Sequence, residues 1–132
     1  MLYLDASALV KRYVEEPGSD VVRTAMADAD GWLMCRVGFV ETVRAVALAA
    51  GARAAAVVRR EWPSFAVVEV DHALAERAAE LALTDGLRSL DALHLAAALL
   101  LAPGTVTLAT WDERLHRAAR RHRLPVLPER IA

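Results

Sequence analysis

The chain has 132 residues, 56% hydrophobic and 25% charged, which excludes a disordered chain and favours a compact fold. Its net charge of −1 does not mark a nucleic-acid binder, and its longest apolar run, residues 95–103, is shorter than the ~20 residues of a membrane span. The lone Cys35 excludes an internal disulfide and a multi-cysteine zinc site, and it suits the reducing cytoplasm, where we expect the protein. From the length of the chain we expect one domain over residues 1–132.

Short apolar strands alternate with helical segments along the whole chain. In chain order, the predicted elements are a strand at 2–5, helices at 7–16 and 19–29, a strand at 32–35, helices at 39–50 and 52–62, a strand at 66–70, helices at 72–84 and from 89, a strand at 106–110, a helix at 112–121 and a strand at 124–127. This alternation predicts an α/β fold with a central, mostly parallel sheet and helices on both faces.

Four acidic residues fall near the ends of these elements. Asp5 ends the first strand, and Asp112 lies just past the fourth. Glu41 lies near the start of the helix at 39–50, and Asp91 lies in the first turn of the apolar helix that follows Arg88. Ligands bind at the carboxyl ends of strands in an open parallel sheet, so one pocket could hold all four acids. Asp5 and Asp112 meet there only if their strands are neighbours, which the sequence leaves open.

Each acid also has an ordinary structural interpretation. Asp5 and Asp112 could cap the helices that follow them, and Asp91 could interact with its helix dipole. Glu41 could pair with Arg44 three residues on, which contributes only ~0.2–0.5 kcal/mol. Taken together these interpretations are strained, because capping does not explain why Glu41 and Asp91 have apolar neighbours.

A cluster of carboxylates would require a cation. Two carboxylates about 4 Å apart repel by roughly 4 kcal/mol at an effective dielectric constant of 20. Oxygen ligands favour Mg²⁺ or Mn²⁺ over zinc, and such ions can activate water against a phosphodiester. We expect His94 to be a partly buried histidine with a hydrogen-bond partner rather than a ligand, lying behind Asp91 and orienting it. Ser7 could bond to a carboxylate or cap its own helix.

The segments DASALVKRYVEEPGS, RSLDALHLAAAL and TLATWDERLHRAA, which begin at Asp5, Arg88 and Thr107, resemble the PIN-domain ribonucleases. The likeness covers essentially the whole chain and is greatest to the VapC-type toxins of toxin–antitoxin pairs. It implies a three-layer α/β/α sandwich whose acidic site holds Mg²⁺ or Mn²⁺ on four residues, Asp5, Glu41, Asp91 and Asp112. It also implies that Ser7 and Thr110 are the hydroxyl residues beside the first and last acids.

The activity implied by the resemblance is endoribonuclease cleavage of RNA by a metal-activated water. The implied partners are a cognate antitoxin, whose Arg-bearing segment blocks the groove, and a second copy of the chain in a homodimer. The sequence departs from the family pattern at three places. Cys35 stands where many relatives have Ser, and His122-Arg123 stands where relatives often have Gly. Arg114 stands where some PIN nucleases carry an acid or Asn, so we expect no fifth ligand there.

Basic residues concentrate at the end of the chain. Residues 112–132 contain six Arg and three acids, which gives them a net charge of +3. Four of these arginines follow helical spacing and are candidates for RNA binding, with a solvated surface as the alternative: Arg114, Arg117, Arg120 and Arg121.

Two other functions are alternatives to a ribonuclease. A phosphatase with Asp5 as nucleophile usually needs a second Asp two residues on, where this chain has Ser7. A catalytically silent PIN module that binds RNA or a protein partner remains the alternative, although the presence of all four acids argues against it.

Overall fold

The computed structural model describes residues 1–101 and 103–131, so residues 102 and 132 of the predicted domain lie outside the described part. The strands are β1 Leu2–Leu4, β2 Trp32–Cys35, β3 Phe65–Val68, β4 Thr107–Ala109 and β5 Val126–Leu127. The helices are α1 Ala6–Tyr13, α2 Ser19–Asp28, α3 Arg36–Ala50, α4 Ala52–Glu61, α5 His72–Asp85, α6 Ser89–Ala98 and α7 Glu113–Arg121. A short 3-10 helix, Trp62–Ser64, leads into β3. None of these helices is long and apolar enough to cross a membrane.

The five strands form one sheet in the order β3-β2-β1-β4-β5, and every pairing is parallel. The predicted α/β class with a central parallel sheet is confirmed. From β1 the chain builds outward to β3 on one side and then returns to add β4 and β5 on the other. The strand order therefore reverses between β1 and β4, where Leu4 pairs with Ala109. The carboxyl ends of these two strands define the crevice in which an open α/β sheet binds its ligand.

Alternate residues of the strands point to opposite faces of the sheet, and both faces are buried. Leu4 and Met34 belong to a core cluster that contains residues of α1 and α2. Tyr3 and Leu33 belong to a second cluster, which contains residues of α5, α6 and α7. The result is a three-layer sandwich, and burial on both faces explains why the strands read as continuous apolar runs.

Several element boundaries differ from the predicted ones, and two of these differences have identifiable reasons. The third helix begins at Arg36 rather than at residue 39, because Cys35 both ends β2 and serves as the N-cap of α3. The last strand begins at Val126 rather than at residue 124. The Leu124 N–H bonds back to the Ala119 carbonyl at 3.0 Å, which closes the end of α7 instead of extending β5.

The connection from α5 to α6 places two residues at the carboxyl edge of the sheet. Gly86 ends α5 with a φ of 64°, a left-handed conformation that glycine adopts without steric cost. The chain then turns, and Arg88 becomes the N-cap of α6. Asp91 lies in the first turn of that helix, while most of the following residues are buried in the core.

Candidate active site

Asp5 lies at the carboxyl end of β1, and its side chain is buried. One carboxylate oxygen accepts hydrogen bonds from the Ala8 backbone N–H at 2.9 Å and from the Ser7 hydroxyl at 2.6 Å. The other oxygen accepts one from the Thr110 hydroxyl at 2.6 Å. A carboxylate has about four acceptor positions, so Asp5 is firmly oriented and keeps one for a ligand. Burial raises the pKa of Asp5, although His94 and the three hydrogen-bond donors oppose the rise. A nearby cation would therefore favour its ionised form.

The two hydroxyls connect the ends of β1 and β4. The Ser7 oxygen accepts a hydrogen bond from the Trp111 N–H at 2.9 Å, and the Thr110 oxygen accepts one from the Asp112 N–H at 3.1 Å. Each hydroxyl thus has a backbone donor on one side and gives its own proton to Asp5. This arrangement fixes the Asp5 side chain relative to the start of α7, and it puts Ser7 and Thr110 beside the first and last acids.

Asp91 and Asp112 share one cationic partner, Arg88. One oxygen of Asp112 caps α7 by accepting the Leu115 N–H at 2.9 Å, and its other oxygen accepts from the Arg88 guanidinium at 3.1 Å. The same guanidinium lies 3.3 Å from an Asp91 oxygen. Capping and site formation are therefore compatible, because one carboxylate oxygen of Asp112 caps the helix and the other faces the shared site.

The charges of the three aspartates act on one another. Burial raises the pKa of Asp91, and the charges of Asp112 and Asp5 raise it further, whereas Arg88 lowers it. Asp91 therefore lies close enough to Asp112 and Asp5 for their negative charges to act on it across partly buried space. Arg88 offsets part of this negative charge, although 68% of its side chain is exposed.

Glu41 is held by a buried chain of hydrogen bonds. One Glu41 oxygen lies 2.7 Å from His94 Nε2, and His94 Nδ1 lies 2.7 Å from the Tyr3 hydroxyl. The Tyr3 oxygen accepts the Cys35 backbone N–H at 3.1 Å, and burial raises the pKa of Tyr3, so its hydroxyl stays protonated. In this network the Tyr3 hydroxyl donates a hydrogen bond to His94 Nδ1. The imidazole proton is therefore on Nε2, which donates to Glu41.

His94 therefore has a different partner from the expected one. Its ring bonds to Tyr3 and Glu41, whereas the sequence predicts that it orients Asp91. Three residues along a helix of 3.6 residues per turn correspond to roughly 300°, so Asp91 and His94 point about 60° apart. That angle suffices to direct Asp91 toward Arg88 at the edge and His94 toward the sheet.

Among residues 1–101 and 103–131, no three His, Cys, Asp or Glu side chains form a ready-made metal cage. The acids have other partners, since Asp91 and Asp112 contact Arg88 and Glu41 contacts His94. The donor chemistry nevertheless fits a hard cation, because every candidate ligand is a carboxylate. A divalent ion would also relieve the repulsion that raises the pKa of Asp91.

The predicted line of four arginines does not form one surface. Arg121 bonds to Asp85 at 3.0 Å, which ties it to the end of α5. Arg117 and Arg120 line a groove beside the C-terminal segment, whereas Arg114 is exposed on α7 outside that groove. Only two members of the line therefore share a surface that could receive a ligand.

Arg88 is the site residue that the sequence reasoning missed. Its spacing of three residues before Asp91 is the spacing at which a helical ion pair forms, and this was the available signal. Its second contact, with Asp112, joins residues 24 positions apart and depends on the tertiary fold.

The sequence profile of the PIN domain matches residues 2–121 of the chain. Ribonuclease VapC45 of Mycobacterium tuberculosis, strain CDC 1551 / Oshkosh, is 35% identical over 142 residues, covering 99% of this chain and 97% of the relative. Ribonuclease VapC46 of strain H37Rv is 35% identical over 119 residues, covering 90% of each chain.

Two solved structures share the fold. VapC20 of Mycobacterium tuberculosis, described as a sarcin-ricin loop cleaving toxin, gives a TM-score of 0.77 at 16% identity, covering 89% of this chain and 95% of that chain. FitAcB from Neisseria gonorrhoeae gives a TM-score of 0.66 at 21% identity and covers 96% of both chains. At these identities the likeness concerns the fold alone.

Proposed function

The chain belongs to the PIN-domain family, as its motifs predict, and from that premise we propose that it is a metal-dependent endoribonuclease of the VapC toxin type. It hydrolyses RNA phosphodiester bonds with a water activated by Mg²⁺ or Mn²⁺. The observation that supports it is that Asp91 and Asp112 share Arg88, and that Thr110 links Asp5 to the Asp112 backbone, where the strand order reverses. It is supported by 35% identity to a protein named a ribonuclease over 99% of this chain.

The residues of the site have distinct roles in this reaction. A bound Mg²⁺ or Mn²⁺ polarises a phosphate oxygen and lowers the pKa of a coordinated water. Asp5 is the rigid ligand, because three donors fix its carboxylate. Asp91 and Asp112 would hold the ion with the oxygens that now contact Arg88, and the exposed Arg88 side chain would then be free to contact the substrate phosphate. Glu41 completes the set and is oriented by His94.

The same acids explain how an antitoxin would inhibit the enzyme. Arg88 shows that a guanidinium fits between Asp91 and Asp112. An Arg-bearing antitoxin segment would make the same charge-assisted hydrogen bonds and exclude both the metal and the RNA. We also expect the homodimer that the family resemblance implies, acting on RNA in the cytoplasm.

A catalytically silent PIN module is the second candidate function. The observation in its favour is that no ready-made metal cage exists in the part of the chain that the structure describes. In that case the acids would serve only to bind a basic partner, and the protein would bind RNA without cleaving it.

Cleavage of a structured RNA by the purified protein separates the two candidates. We expect cleavage in Mg²⁺ or Mn²⁺ and none in chelator. Asp5→Asn and Asp91→Asn should each reduce the cleavage rate by more than about 100-fold. Changing a residue that only supports a metal ligand reduces activity by about 10- to 100-fold, and loss of a ligand itself should cost more. Asp71→Asn is the matched control, because Asp71 caps α5 in the same way as Asp5 caps α1. It follows β3, two strands away from β1.

The control makes the result decisive. If Asp71→Asn retains the parent rate while the two site variants lose it, the loss reflects the site and not a missing helix cap. Near-normal cleavage by Asp5→Asn or Asp91→Asn would show that the acidic site is wrongly placed. A parent that binds RNA but never cleaves it, with either metal, would support the silent module.

A further inference from the structure

Two adjoining hollows of about 510 Å³ and 370 Å³ form a groove between α7 and the C-terminal segment. We propose that this groove binds the phosphates of the RNA backbone away from the scissile bond, an inference that rests on the proposed ribonuclease function. Its floor includes Leu124 and Val126, and we call it the basic groove after four arginines that line it, Arg117, Arg120, Arg123 and Arg130.

The charge of the basic groove has no acidic partner within residues 1–101 and 103–131. Among the described residues, no ion pair joins any of its four arginines to an acid. Glu113 and Glu129 also line the hollows, which leaves four positive charges against two negative ones. Arg121, on the same helix, differs because Asp85 holds it. Arginines without acidic partners beside a concave surface are suited to phosphate, which their planar donors can bind in pairs.

Arg123 gives independent support because its backbone is strained. Its φ is +60°, and it is the one non-glycine residue among those described that has a positive φ. This left-handed residue is required by two hydrogen bonds that close the end of α7. The Arg123 N–H donates to the Arg120 carbonyl, and the Leu124 N–H donates to the Ala119 carbonyl, both at 3.0 Å. The equivalent turn after α5 uses Gly86, with a φ of 64°. A side chain kept where glycine would relieve strain suggests a functional requirement for that side chain.

The groove is placed to continue the path of a bound RNA. α7 begins immediately after Asp112, whose carboxylate belongs to the acidic site. Arg117 and Arg120 lie five and eight residues further, about 7 and 12 Å along the helix axis at 1.5 Å per residue. An RNA strand cleaved at the acids could therefore run along α7 and place successive phosphates in the groove.

Substitution of Arg123 tests the proposal without threatening the fold. Arg123→Gly removes the charge and relieves the backbone strain, whereas Arg123→Lys keeps the charge and the strain. Arg53→Ala is the control, since Arg53 is an exposed arginine on α4 that does not line the groove. We would measure binding of a labelled single-stranded RNA in chelator by fluorescence anisotropy at several salt concentrations, and the melting temperature of each variant.

Arg123→Gly should weaken binding about fivefold at 0.1 M salt and reduce the salt slope by about 0.7, the effect of losing one phosphate contact on a single strand. Its melting temperature should equal or exceed that of the parent, so unfolding cannot explain the loss. Arg123→Lys and Arg53→Ala should retain most of the parent affinity. Polyglutamate of similar length should compete far less well than RNA.

Several outcomes would overturn the groove. They are an unchanged slope in Arg123→Gly, an equal loss in Arg53→Ala, competition by polyglutamate as strong as by RNA, or a parent that does not bind RNA. Cleavage assays keep this failure separate from failure of the proposed function. An enzyme that cleaves RNA normally with an unaltered slope in Arg123→Gly would retain its function and lose the groove. A protein whose RNA binding depends on Arg123 but which never cleaves RNA would support the groove and contradict the proposed ribonuclease function.

Discussion

The two ends of α7 carry opposite charges in different surroundings. At its start, each carboxylate oxygen of Asp112 has a defined donor, and its N–H bonds to Thr110. Toward its end, Arg120 and Arg123 line an open groove without an acidic partner among the described residues. A short side chain at a strand end has its position set by the backbone, whereas a long arginine keeps much of its conformational freedom until a ligand binds.

This difference determines how each end responds to its surroundings. Charges packed together at partly buried positions depend mainly on one another and on a bound cation. Exposed charges in a groove are screened by dissolved salt over a Debye length of about 8–10 Å at physiological ionic strength. Metal should therefore act on the acidic end of α7, and salt on the basic end. The predictions below test whether the two ends are as separate as the structure indicates.

The largest expected effect on stability comes from Asp85, which fixes the C-terminal end of α7. Its carboxylate lies 3.0 Å from Arg121 Nε and 2.9 Å from His122 Nε2. Burial raises the pKa of Asp85, but the hydrogen bonds and charges of His122 and Arg121 outweigh it, and the net pKa is lowered. Asp85→Asn should therefore cost about 2 kcal/mol at neutral pH, a value discounted from the range for charged hydrogen bonds because Arg121 is half exposed.

The pH dependence of this loss has a definite sign. A carboxyl group whose pKa is lower in the folded state stabilises the fold above its unfolded pKa, and this contribution disappears as the pH falls through the folded pKa. The parent and Asp85→Asn should thus converge in urea unfolding at acid pH. Asp28→Asn, an exposed aspartate at the end of α2, is the control and should change little. A change in RNA affinity in Asp85→Asn would mean that Arg121 belongs to the basic groove after all.

The order of the elements was predictable because it depends on local signals. Apolar runs separated by Gly, Pro and Asp predict where strands and helices alternate, and the parallel sheet follows from that alternation. The acids at strand ends were predictable for the same reason. The adjacency of Asp5 and Asp112 was not, since it requires β1 to pair with β4 across about 100 residues of chain.

The partners of the long side chains could not be predicted either. Periodicity places Asp91 and His94 on a similar face of α6, but it does not show that His94 reaches Tyr3 under the sheet. Arg88 meets two acids from different elements, and Arg121 meets Asp85 rather than joining its neighbours on α7. These contacts are decided by tertiary packing, which spacing along one helix does not contain.

Asp91→Asn tests whether the acidic end behaves as a group of interacting charges. Because burial, and then the charges of Asp112 and Asp5, raise the pKa of Asp91, removing its charge should stabilise the protein in chelator by about 1 kcal/mol. In millimolar Mg²⁺ the parent should be more stable than Asp91→Asn, since a cation that binds only the folded state stabilises the parent more. Thermal unfolding in the two buffers measures both effects.

Asp20→Asn is the matched control for this variant, because Asp20 also lies in the first turn of a helix but is not one of the four acids of the candidate site. It should lose a few tenths of a kcal/mol through the helix dipole in both buffers. If Asp91→Asn shows the same small loss with and without metal, then Asp91 serves only its helix. The two ends of α7 would then differ in where their charges lie but not in their response to metal.

The smallest expected effect on stability comes from Arg88→Ala. Arg88 makes two exposed ion pairs, so its loss should cost about 0.5 kcal/mol in chelator.

The same change should tighten binding of Mn²⁺ several-fold, because the guanidinium competes with the metal for Asp91 and Asp112, and calorimetric titration measures this. Cleavage should nevertheless slow if Arg88 contacts the substrate phosphate. Arg36→Ala, which breaks an exposed pair with Glu69, should show the loss of stability without tighter metal binding. Weaker Mn²⁺ binding in Arg88→Ala would show that Arg88 organises the acids rather than occupying the place of the metal.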